Sequence, residues 1–133
     1  MNPFSDVRVL VVADDRDLFD AIRSALRSSY RLTACRSPKS ALALIDGGKR
    51  FDILVAAFHL LEMSGPDLYR RVSDADAVLA RNCLLIVSGR LSPDEERFLD
   101  LGRGRVMYEP FRADRLREEV SVLAARAVLA MSA

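Results

Sequence analysis

The stretch FDILVAAFHLLEMSG, residues 51–65, decides the fold. Its segment 53–58 is apolar on both alternations, which is the pattern of a strand covered on both faces rather than one. The chain then passes through a loop and into an amphipathic segment. A buried strand of that kind usually delivers a functional side chain at its carboxyl end. Here that end reads Ala56-Ala57, two methyl groups.

Working outward, the same alternation of apolar run and amphipathic segment recurs along the chain. Residues 7–12 (VRVLVV) form a β-branched run that stops at Ala13-Asp14-Asp15. Leu18, Phe19, Ile22, Ala25 and Leu26 follow at helical spacing. Residues 30–35 make a weaker second strand. Ser37-Pro38 opens a helix, with Ser as N-cap and Pro in the first turn, and that helix stops at Gly47-Gly48. Beyond the central stretch, Leu68, Val72, Ala75 and Leu79 predict one helix over 68–79. Residues 83–87 are a fourth, continuously apolar strand. Ser92-Pro93-Asp94-Glu95 is a capping box that starts a helix ending near Gly102. Residues 106–108 are a short fifth strand, and 114–131 a long last helix whose apolar stripe is Leu116, Val120, Leu123, Ala127 and Ala130.

Five strand–helix units joined by short connections predict an α/β domain: a doubly wound, five-stranded parallel sheet with helices on both faces. No linker or low-complexity tract divides the chain, so residues 1–133 are expected to form one domain. Twenty basic residues against nineteen acidic ones leave a net charge of +1. That balance offers no electrostatic basis for nucleic acid or an acidic membrane as the main partner. Cys35 and Cys83 lie in or beside apolar runs without a CxxC spacing, which predicts free buried thiols and fits a reducing cytoplasm. The first residues, MNPFSDVR, lack a signal-peptide pattern, and no apolar run is long enough to span a bilayer. A cytoplasmic protein is expected.

In an open parallel sheet the working site lies outside the carboxyl ends of the strands. Four places matter on that rule: Ala13-Asp14-Asp15, Ala57, Ser88 and Glu109. With VLVVADD (9–15), FDILVAAFHLLEMSG (51–65), LLIVSG (84–89) and YEPF (108–111) in that order and spacing, the chain resembles the receiver domain of two-component response regulators, the flavodoxin-like, CheY-like fold. The resemblance covers essentially the whole chain and implies a strand order of 2-1-3-4-5. It also implies a phosphorylation pocket with an acidic pair after the first strand, an acceptor Asp after the third, a hydroxyl after the fourth and a Lys after the fifth. These positions map to Ala13 and Asp14, with Asp15 beside them, then to Ala57, Ser88 and Glu109. Only Asp14 and Ser88 keep the family's chemistry. The family's Pro-Gly in the loop after the acceptor is replaced by Leu61-Glu62, while the Gly that opens the next helix is kept as Gly65.

Phosphoryl transfer to a carboxylate needs an oxygen nucleophile, a divalent metal and a cation near the departing charge. Ala57 supplies no nucleophile. Asp14 is the one residual metal-binding candidate, and a single carboxylate holds Mg²⁺ poorly. Glu109 puts a negative charge where the family has a positive one. Two unit charges about 4 Å apart interact by about 4 kcal/mol at an effective dielectric of about 20, so this reversal of sign is large. The expected reading is a non-phosphorylatable pseudo-receiver: not an enzyme, without a cofactor, and acting as a protein–protein interaction module in phosphorelay signalling.

The resemblance implies as partners a histidine kinase, an output domain or another receiver. It also implies a homodimer through the face of the fourth helix, fifth strand and fifth helix. Val106 (where the family's switch aromatic would stand), Tyr108, Arg97, Met107, Arg117 and Val122 are the candidates on that switch and output face, with Asp100, Arg103, Arg105 and Glu118 around them. The alternatives are a ligand- or metal-sensing pseudo-receiver and a receiver phosphorylated at a displaced residue. The first would use a vacated pocket lined by Ala13, Ala57 and Ser88, or a metal on Asp14, Asp15 and Glu109. The second would use a displaced carboxylate or His59. Glu109 is otherwise expected to pair with Arg90, Arg105 or Arg112. Nucleotide or flavin binding is not expected, because no Gly-rich phosphate loop follows the first strand.

Overall fold

The computed structural model describes residues 2–132. Strands β1 (Arg8–Val12), β2 (Arg31–Cys35), β3 (Ile53–Ala57), β4 (Cys83–Val87) and β5 (Arg105–Tyr108) pair in parallel throughout. They form a single sheet in the order β2-β1-β3-β4-β5, the order the family resemblance implied. The two central strands of the apolar kind, β3 and β4, are buried along their whole length. Between the strands run α1 (Arg16–Leu26), α2 (Pro38–Asp46), α3 (Gly65–Ala75), α4 (Ala77–Arg81), α5 (Pro93–Asp100) and α6 (Ala113–Ser132).

Strand alternation divides the core in two. Val9, Val11, Ala13, Ile53, Val55, Ala57, Leu84, Ile86 and Met107 point to the side covered by α1 and α6. Leu10, Val12, Leu54, Ala56, Phe58, Leu85 and Val87 point to the side covered by α2, α3, α4 and α5. On the first side, α1 buries Leu18, Phe19, Ile22, Ala25 and Leu26, as its periodicity predicts. The free thiols Cys35 and Cys83 are both buried, and burial pushes the Cys83 thiol up to about 12.

Three helices start the same way. Ser37, Ser64 and Ser92 each accept a hydrogen bond from the backbone N–H three residues on, and a Pro sits in the first turn. That bond satisfies one of the donors that helix geometry leaves without a partner. At Ser92 the Glu95 side chain reciprocates, completing the capping box. Gly65 answers a steric need: a Cβ there would lie 2.5 Å from the Phe58 carbonyl oxygen, so the chain can leave β3 and enter α3 only without a side chain.

The structure corrects two expectations. The helix over 68–79 is two helices, because Asp76 adopts an extended conformation (φ −155, ψ 91). Its carboxylate accepts from the Leu79 N–H at 3.1 Å and so caps the short α4. The expected fourth and fifth helices are therefore α5 and α6. In α6, Leu116, Val120, Leu123 and Ala127 are buried as expected, but Ala130 is exposed and Ala124 takes a core position. Among the described residues no helix is long and apolar enough to cross a membrane.

Candidate functional site

The carboxyl ends of β1, β3, β4 and β5 bring the six mapped positions to one edge of the sheet. Ala13 leaves β1 fully buried and gives its N–H to the Cys35 carbonyl at 3.1 Å. Ala57 ends β3 opposite Ile86 of β4 and is 4 % exposed. Both belong to the core cluster on the α1–α6 side, and Leu60 and Phe111 from the neighbouring loops pack against that cluster. The vacated pocket expected from Ala13, Ala57 and Ser88 is therefore a packed apolar floor. Ser88, just beyond β4, is exposed.

The acidic groups are arranged for structure. Asp14 is half-buried, and its carboxylate accepts from the Leu61 N–H at 2.7 Å, tying the β3–α3 loop to the end of β1. Asp15 is exposed at the start of α1 and makes no side-chain cap bond. Glu109 is half-buried, its N–H donating to the Val87 carbonyl at 2.8 Å. The expected partners of Glu109 are engaged elsewhere or apart from it: Arg105 bonds Glu119 at 2.7 Å and Arg112 bonds Asp114 at 3.4 Å. Among the described residues Glu109 makes no ion pair, and no group of three or more His, Cys, Asp and Glu could hold a metal ion. Asp14, Asp15 and Glu109 are thus not assembled into a metal centre among the described residues.

His59 lies in the loop after β3, as expected, but it is committed. Its Nε2 is 2.9 Å from Glu95 Oε2, and Glu95 Oε1 accepts from the Ser92 N–H at 2.8 Å. The backbone bond from Ser92 is the main cause that holds the Glu95 carboxyl below its usual range. The Ser92 hydroxyl and His59 act in the same direction, and partial burial opposes them. One carboxylate therefore caps α5 and joins it to the β3–α3 loop.

The expected switch and output face is only partly a surface. Tyr108 is 57 % exposed and Val122 41 %. Arg97 is exposed and pairs with Asp94 within α5. Val106 is half-buried against the core on the α5 side. Met107 does not belong to the face: strand alternation turns it inward to the α1–α6 core, where it is buried. Arg117 also leaves it, since its Nε donates to the Ala25 carbonyl of α1 at 3.1 Å. Two polar residues that periodicity did not single out hold the far side of this region. Glu119 is buried and receives Arg105 of β5 at 2.7 Å and Arg115 at 2.9 Å. Asn82 is buried and donates to the carbonyls of Asp52 and Leu123, stitching β3 to α6. Glu119 could have been found in the sequence, since it falls inside the Leu116–Val120–Leu123 stripe.

No family model matches the chain. The Two-component response regulator ORR7 of Oryza sativa subsp. japonica is 25 % identical over 105 residues, covering 77 % of this chain. The chain spans about half the length of that curated relative, 50 %. Among solved structures, a CheY-like response regulator receiver domain protein from Methanospirillum hungatei superposes with a TM-score of 0.79 at 20 % identity, over 92 % of this chain and 97 % of that one. Vibrio cholerae chemotaxis protein CheY4 superposes with a TM-score of 0.76 at 18 % identity, over 90 % of this chain and 99 % of that one. By its strand order, these superpositions and its curated relative, the chain has the CheY-like fold and is similar to the receiver domains of response regulators.

Proposed function

We propose that the chain is a pseudo-receiver of two-component signalling: a cytoplasmic, non-enzymatic module that works through protein–protein contact without taking a phosphoryl group. The observation that carries this reading is Ala57, buried in the core at the strand end where the family resemblance places the acceptor. Two features around it agree. Asp14 serves as a loop tether, and Glu109, at the position of the family's Lys, makes no ion pair among the described residues. An arriving phosphate would meet carboxylates and methyl groups, with no acceptor carboxylate at the end of β3.

The surface left for partners is the edge strand β5 with α5 and α6. Arg105 of β5 reaches Glu119, so this side of α6 faces β5, and Val122 lies three residues on along the same side. A histidine kinase, an output domain, another receiver or a second copy would dock there. The silence of the pocket is tested by an NMR titration of the full chain with Mg²⁺ and beryllofluoride. The amides of Ala57, Ser88 and Glu109 are expected to stay unmoved. Saturable shifts at those three positions would overturn the reading.

A further inference from the structure

A cavity lies at the opposite edge of the sheet from the family's pocket. It has a volume of about 420 Å³, within the roughly 300–1,000 Å³ typical of small-molecule sites. Phe51 just before β3, Val78, Ala127 and Ala130 make it apolar, and Met131 of α6 extends that lining. Arg81, the last residue of α4, and Arg126 of α6 also line it. Among the described residues neither guanidinium has an ion-pair partner. The wall's one carboxylate, Asp52, is already used: it accepts from the Arg8 N–H at 2.8 Å.

We propose that this cavity binds a small amphipathic monocarboxylate, its apolar body against Phe51, Val78 and Ala127 and its carboxylate between Arg81 and Arg126. A guanidinium presents a planar fork of donors that matches a carboxylate, and two arginines line one apolar cavity without an ion-pair partner among the described residues. Asp52 in the wall disfavours ligands of higher negative charge. A second copy of the chain is a poorer occupant, because docking the ends of two α6 helices brings Arg126 toward another Arg126. Because the cavity spans α4 and α6, the ligand would tie together helices from opposite faces of the sheet.

The test is an amide NMR titration of the full chain with octanoate below its micelle concentration, with octanol as the uncharged control. Saturable shifts are expected at Phe51, Val78 and Ala127. R81Q and R126Q, both at exposed side chains, should each weaken octanoate binding about tenfold with spectra otherwise native. A130L should block binding by filling the cavity, and octanol should bind at least about tenfold more weakly. The proposal is overturned by any of four results: no saturable shift with octanoate, unchanged affinity in both arginine variants, equal binding of octanol, or slowed diffusion showing that a second copy fills the site.

Discussion

On the proposed reading, the methyl side chain of Ala57 sets what this strand end can do. The strand that carries it is in place, paired with β1 and β4 in parallel register, and its end is buried where the resemblance puts a reactive carboxylate. Glu95 illustrates the reverse case, a side chain whose chemistry is fully used by the fold. Its folded-state carboxyl titrates below the ordinary value of 4.5, chiefly because the Ser92 N–H bonds the charged form. A depressed carboxyl contributes stability that is present above its unfolded value and lost as pH falls through its folded value. Chemical denaturation of the wild type and E95Q should therefore give the largest stability gap at neutral pH. The gap should close as pH drops below about 4.5, and a gap independent of pH would show that Glu95 acts through packing alone.

Among the elements, α5 is the least firmly attached. It buries no residue fully and is held by Phe98 against Phe58 and Tyr69, by its capping box and by the His59–Glu95 bond. By contrast α1 buries five side chains. S92A removes the cap and should cost about 1 kcal/mol. Hydrogen exchange should speed up in α5 well before α1 responds, and uniform acceleration of both helices would count against local opening. The elements also show what periodicity reads and what it misses. Strand existence and both-face burial were legible because β3 and β4 are apolar at every position, while the strand order came from the family resemblance. The break at Asp76 was not, because Leu68, Val72 and Leu79 keep a helical rhythm across it while a single carboxylate reorients the backbone. The inward turn of Met107 was missed, since it was expected on the output face, although alternation with Val106 and Tyr108 carries the signal. The pairing of Arg105 with Glu119 was not, since it joins residues fourteen apart from a strand and a helix.

At the scale of the whole molecule, the sheet has a closed side and an open one. The ends of β1 and β3 carry buried alanines and a carboxylate tether. The side of β5 and α6 keeps exposed Tyr108 and Val122, and α6 carries Leu129 and Met131 to its end 71 % and 61 % exposed. If the β5–α6 side self-associates, sedimentation velocity over a range of concentrations should show a monomer–dimer equilibrium. V122E, placing like charges across a two-fold interface, should shift it toward monomer by about tenfold or more. Equal association of wild type and V122E would move the interface elsewhere. That these positions gather at one edge was legible from the four strand ends, because topology decides what reaches that edge, while their mapped roles rest on the family resemblance. The site's closure was not legible: whether two alanines leave a hole or a packed floor depends on Leu60 and Phe111 from other loops.

The most direct test of the central claim is intact-mass spectrometry of the full chain after incubation with acetyl phosphate and Mg²⁺. The protein is predicted to keep its unmodified mass while a phosphorylatable receiver treated alongside it gains one phosphoryl group. A stoichiometric adduct on this chain would contradict the claim that its third strand ends in a position without a nucleophile to replace it.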